Sequence, residues 1–170
     1  MTPPVLPPVP LARVDQVGIL VESLDEAVAV YSELFPATTW RGYLYTPETV
    51  PELRYRGAPG EFSFWVALSD VQPQIELIQS VSGPSIYTEW LDRHGTGLHH
   101  VGTFTNDLTM DVETLEAQGL AVSQSGRGYG LEGDGGFAYF DSLVLGVIIE
   151  LIEIPLVRRP PDREWVSARP

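Results

Sequence analysis

Apolar and polar residues alternate over residues 13–21, where Val14, Gln16, Gly18 and Leu20 share one side. A period of two predicts a strand with one face toward a core. The period then changes. Leu24, Ala27, Val28, Tyr31, Leu34 and Phe35 recur at helical spacing, behind Ser23 and Glu26 set as a capping box and ahead of Pro36, which stops the helix. Residues 40–45, 62–68 and 74–79 return to strand patterning, so this stretch reads βαβββ.

A short helix over 85–93, ended by Gly95, leads to a second unit in the same order. A strand is expected over 99–105, then a helix capped by Asn106 or Asp107 that carries Leu108, Val112 and Leu115 and stops at Gly119. Strands over 120–123, 137–141 and 147–154 complete it. Neither copy can bury its face alone, which predicts an α+β fold. Two tandem βαβββ modules, 13–80 and 97–154, share one curved mixed sheet around a cleft. Residues 1–12 are proline-rich and expected to form an extended arm. The tail, 155–170, is expected to lie along the surface, anchored by Trp165.

The two copies also match in their polar positions. The first opens with Asp15-Gln16-Val17-Gly18 and the second with His99-His100-Val101-Gly102; the first closes with Ile75-Glu76-Leu77 and the second with Ile149-Glu150-Leu151. If helices cover one face, Gln16, Glu76, His100 and Glu150 project from the other into an otherwise apolar cleft. Buried polar groups need partners. Two carboxylates, an imidazole and an amide oxygen satisfy one another around a divalent metal ion, whose charge the carboxylates neutralise. Taken singly, Glu76 and Glu150 also read as solvated strand residues and Gln16 as a hydrogen-bonded amide. His99 reads as a helix-contacting residue and His94 as a favourable charge at a helix end.

Composition narrows the partners. The net charge is −13, which argues against a nucleic-acid or anionic-membrane footprint, and all ten basic residues are arginine, which excludes lysine chemistry. Cysteine is absent, so disulfides and thiolate nucleophiles are excluded. No apolar run reaches bilayer length, and a cytoplasmic protein is expected.

The arrangement over roughly residues 13–154 strongly resembles the vicinal oxygen chelate superfamily, which includes glyoxalase I, methylmalonyl-CoA epimerase, extradiol dioxygenases and bleomycin-resistance proteins. The resemblance maps the family's metal positions onto Gln16, Glu76, His100 and Glu150, a set that looks like that of zinc-type glyoxalase I. It implies one divalent cation (zinc, nickel, cobalt, manganese or iron), a small-molecule carbonyl substrate and a homodimer. A single histidine argues against the two-histidine iron site of ring-cleaving dioxygenases. The implied activity is that of a metal-dependent isomerase, epimerase or lyase, with Glu150 as first and Glu76 as second candidate for the proton-transferring base. The alternative is a binding or resistance protein without catalysis.

Arg54, Arg56 and Trp65 read either as pocket-lining or as surface and core residues. Phe104 shares the His100 face, and Tyr129 and Arg127 lie in a glycine-rich stretch, 126–136, that reads as a mobile loop near the cleft or as a phosphate cradle. With Arg54, Arg56 and Arg127 as the plausible cationic contacts, the expected substrate is a hydrophobic carbonyl compound.

Overall fold

The computed structural model describes residues 13–37, 39–142 and 146–167; the expected N-terminal arm lies outside them. The alternating segment 13–21 forms β1 (Gln16–Leu20). Ser23 Oγ accepts from the Glu26 backbone N–H and opens α1 (Leu24–Leu34). Next come β2 (Thr39–Tyr45), two short strands β3 (Arg54–Tyr55) and β4 (Ala58–Pro59), β5 (Ser63–Ser69) and β6 (Gln74–Ser82). The linker helix α2 (Ile86–His94) carries a full capping box between Ser85 and Thr88, and Gly95 closes it at φ 72°. The second copy comprises β7 (Gly97–Thr105), α3 (Leu108–Ala117), β8 (Val122–Arg127), β9 (Gly136–Ser142) and β10 (Val147–Glu153). Asp107 is the residue that caps α3. The tail adds β11 (Arg163–Val166).

One mixed sheet holds the eleven strands of the described residues in the order β11-β2-β5-β6-β1-β7-β10-β9-β8-β3-β4. Counted outward from the β1–β7 seam, each copy places its strands as first, fourth, third and second. The repeat seen in sequence is therefore a repeat in topology. Each outer edge is extended by foreign chain. The β3–β4 hairpin of the first copy pairs with β8 of the second, and β11, which follows the second copy, pairs with β2 of the first.

The helices cover one face. Leu24 and Val28 of α1 pack with Trp40, Ala67, Ile75 and Leu77. Leu108 and Leu115 of α3 pack with Ala138, Phe140 and Leu151. Each such fully buried aliphatic side chain contributes about 1.5–3 kcal/mol. The other face carries an aromatic core that includes Tyr43, Tyr45, Phe64, Tyr87, Phe137 and Tyr139. No helix among the described residues is long and apolar enough to cross a membrane.

Candidate metal centre

The four polar residues that match between the copies meet on the aromatic face, on the four central strands. Across the β1–β7 seam the pairing is reciprocal: Gly18 stands opposite His100, and Gln16 opposite Gly102. On the outer sides, β6 sets Glu76 beside Gly18 and β10 sets Glu150 beside Gly102. Two rungs of the sheet thus deliver the group, Glu76-Gly18-His100 and Gln16-Gly102-Glu150. The glycines leave room for the side chains beside them. A Cβ on Gly18 would stand 1.9 Å from His100 Cε1, and one on Gly102 would stand 3.1 Å from Gln16 Cβ.

His100 is fully buried, and Glu76, Glu150 and Gln16 are nearly so. His100 Nε2 lies 2.9 Å from Glu150 Oε2, 3.4 Å from Glu76 Oε2 and 3.5 Å from Gln16 Oε1. Donors that share a cation held about 2.1 Å from each stand at such separations. One ligand atom from each of Glu76, His100 and Glu150 falls within 4.8 Å of the others. Glu76 Oε2 and Glu150 Oε2 are buried without a well-formed hydrogen bond; their charged neighbour is His100 Nε2, at 3.4 and 2.9 Å. Orphaned buried carboxylate oxygens converging on a common point fit a cation better than they fit one another.

Electrostatics agree with that geometry. Burial works against the His100 imidazolium, yet the two carboxylates outweigh it and hold His100 up at about 9. Burial, and then the charge of Glu150, push Glu76 above the usual carboxylate range. A divalent cation in place of the imidazolium proton would neutralise both carboxylates.

Neighbouring groups orient the set. Gln74 Oε1 accepts from Gln16 Nε2 at 2.9 Å, which turns Gln16 Oε1 toward His100. His99 Nδ1 lies 3.1 Å from His100 Nδ1. Strict alternation would send His99 to the opposite face, but the β1–β7 register skips it: Gly18 pairs with His100 and Ile19 with Leu98. That bulge turns both imidazoles inward and leaves Leu98 exposed, so Leu98 does not accompany His100 on the aromatic face as alternation predicts. His99 contacts Tyr87 and Trp90 of α2, and burial holds it down at about 2, so it stays neutral. A neutral His99 accepts from a His100 Nδ1–H and leaves Nε2 of His100 for the carboxylate side.

The expected substrate contacts scatter. Tyr129 lines the space beside the cluster, with Tyr45, Leu68, Phe137 and Arg158. Phe104 is half-buried two residues beyond Gly102 and does not line that space. Trp65 lies on the helix-covered face, under the Arg163 guanidinium at 4.7 Å. Arg56 is held at φ 50° and pairs with Glu89 at 2.6 Å and Asp141 at 2.8 Å. Arg54 and Arg127 line a separate cavity of about 300 Å³ between β8 and α3. In the stretch 126–136, a hydrogen bond from Tyr129 Oη to the Glu153 carbonyl at 2.9 Å ties the chain to the end of β10.

Sequence reasoning missed Arg158. It lies in the tail expected at the surface, outside both copies, and the Arg158-Arg159 pair among prolines was its only signal.

A family model described as Glyoxalase/Bleomycin resistance protein/Dioxygenase superfamily matches residues 15–140. Among solved structures, the chain is similar to a methylmalonyl-CoA epimerase from Streptomyces coelicolor in complex with 2-nitronate-propionyl-CoA, at 20% identity and TM-score 0.64, over 87% of this chain and 98% of that one. It is similar to a methylmalonyl-CoA epimerase from Mycobacterium tuberculosis, at 23% identity and TM-score 0.61, over 84% and 87%. A hypothetical protein from Bacillus halodurans matches at 17% identity and TM-score 0.61, over 84% and 94%. At these identities the likeness is one of fold. No curated protein sequence matches the chain.

Proposed function

We propose, from the premise that this chain belongs to the glyoxalase/bleomycin resistance protein/dioxygenase superfamily, that it is a divalent-metal-dependent isomerase, epimerase or lyase. It moves a proton on the carbon next to a carbonyl of a small substrate. One observation carries the reading: Glu76, His100 and Glu150 converge in a buried cleft with two carboxylate oxygens that lack a well-formed hydrogen bond. Desolvating two buried carboxylates costs several kcal/mol each, more than one imidazole shared between them repays.

In this reading His100 Nε2, Glu76, Glu150 and the Gln16 amide oxygen would hold the cation, which would supply a Lewis acid for the carbonyl oxygen and for the negative charge left as the neighbouring proton departs. A carboxylate at the cluster takes that proton from carbon and returns it, to the other face of the same carbon or to the adjacent atom. The repeat places the two glutamates equivalently. Glu150 is assigned this transfer first, and Glu76 second. The rings of Tyr45, Phe137 and Tyr129 exclude water from the exchange and receive the apolar part of the substrate.

The test is metal content followed by exchange. Protein purified without added chelator should carry close to one divalent ion per chain, and His100→Ala at equal folding should carry none. The loaded protein should then wash α-protons of small carbonyl compounds into deuterated water. A wild type that folds but takes up no divalent ion under saturating supply would remove this reading.

A further inference from the structure

The tail does more than lie on the surface. After β10 the chain turns back across the mouth of the cleft. Leu131 N–H donates to the Val157 carbonyl at 2.9 Å, Leu156 N–H donates to Asp134 Oδ2 at 2.6 Å, and Gly130 bridges Arg158. Beyond it, Arg159 donates to the Leu44 carbonyl at 2.7 Å and pairs with Asp162 at 2.9 Å. This strap brings the Arg158 side chain to the cleft, where it joins Gln16, Glu76 and Glu150 in lining the half-open space beside the cluster.

Arg158 is unusually placed for a guanidinium. It stands 5.4 Å over the Tyr43 ring and 5.3 Å over the Tyr129 ring, and NH1 donates to Tyr45 Oη at 3.2 Å. Among the described residues it forms no ion pair, whereas Arg56 in the same chain takes two carboxylates. A guanidinium has five N–H donors in a fixed fork. One bond and two aromatic faces leave most of that fork without an acceptor among the described residues. Charge counting points the same way. With a divalent cation balanced by Glu76 and Glu150, the cleft keeps one positive charge, on Arg158.

We propose that Arg158 recognises an anionic group on the substrate, a carboxylate or its equivalent, so that the chain acts on a small carbonyl compound that carries one negative charge. The inference rests on the reading of the site as a metal-dependent proton-transfer centre and narrows its substrate class. Apolar lining alone favours a hydrophobic carbonyl compound; Arg158 adds an anion site at the inner end of that lining. The space beside the cluster is shallow, about 30 Å³, and half open to solvent.

Pyruvate and its uncharged amide, pyruvamide, are the probes, titrated calorimetrically into the full-length zinc-loaded chain with metal occupancy measured first. Wild type should bind pyruvate roughly ten- to hundredfold more tightly than pyruvamide, the range of a charge-assisted hydrogen-bonded pair. Arg158→Gln, which removes the charge while keeping a polar N–H on a shorter side chain, should bring that ratio near one. Arg158→Lys, which keeps charge without the fork, should fall between them. A wild type that binds no pyruvate, or shows no preference for it, overturns the proposal. So does an Arg158→Gln protein that keeps the preference. A mere counter-charge to Glu76 and Glu150 would change zinc affinity and leave the ratio in place, which also overturns it. Failure to take up zinc, by contrast, sinks the metal reading, and occupancy reports that separately.

Discussion

The imidazole of His100 fills the place that a side chain on Gly18 would take: a Cβ there would stand 1.9 Å from Cε1 and 2.3 Å from both ring nitrogens. Gly18→Ala should therefore push the ring off the cluster and weaken metal binding by at least tenfold, with the fold intact. Gly102→Ala should be milder, since its nearest neighbours are Ile152 Cδ1 at 2.9 Å and the Gln16 side chain at 3.1 Å, both able to shift. Zinc competition against a chelator measures both. Equal affinity in wild type and Gly18→Ala would show that the ring position does not matter for metal.

His99→Phe keeps an aromatic ring against Tyr87 and Trp90 but removes the nitrogen 3.1 Å from His100 Nδ1. Loss of such an outer partner typically lowers metal affinity by about 10–100-fold. The melting temperature of the metal-free protein should stay near wild type. A variant with unchanged zinc affinity would make His99 a packing residue only.

Glu150→Gln and Glu76→Gln separate the two candidates for the base. At saturating metal, with occupancy measured, the variant that removes the base should lose about 10²–10⁴-fold in α-proton exchange. Glu150→Gln is expected to be that variant. If it exchanges at the wild-type rate, the assignment passes to Glu76.

Away from the cleft, Arg56 ties the turn after β3 to α2 through Glu89. The hydrogen bond from Arg56, against a smaller effect of burial, holds the Glu89 carboxyl below its usual range. A depressed carboxyl stabilises the fold above its unfolded value, about 4.3, and loses that contribution as pH falls through the folded value. Glu89→Gln should cost about 1 kcal/mol at pH 7, because the pair is partly solvated. The gap from wild type should close toward pH 3. Urea denaturation at pH 7, 5 and 3 measures this, and a gap that stays constant with pH would exclude the ion pair as its source.

Much of this protein is legible in its sequence for a definite reason. Periods of two and near 3.6 report which side of a strand or helix is buried, and a duplicated period reports a duplicated unit. The central strands, all three helices and the order of both copies follow from that. So does the meeting of Gln16, Glu76, His100 and Glu150, because equivalent positions in two like units come together at the seam between them.

What lay outside the periodicity was decided only by the tertiary fold. His99 reads as a helix-contacting residue, and it does contact α2, but only the β1–β7 register skip turns it inward beside His100, and no local pattern encodes that bulge. Arg54, Arg56 and Trp65 have the composition of a pocket, yet β3, its turn and the helix-covered face of β5 carry them elsewhere. The tail reads as surface chain because its prolines break every period. Its place over the cleft comes from bonds to residues far away in sequence, at Leu44, Asp134 and the Tyr43 and Tyr129 rings. Such contacts form only once the sheet has curved, which is why Arg158 becomes visible only in the folded chain.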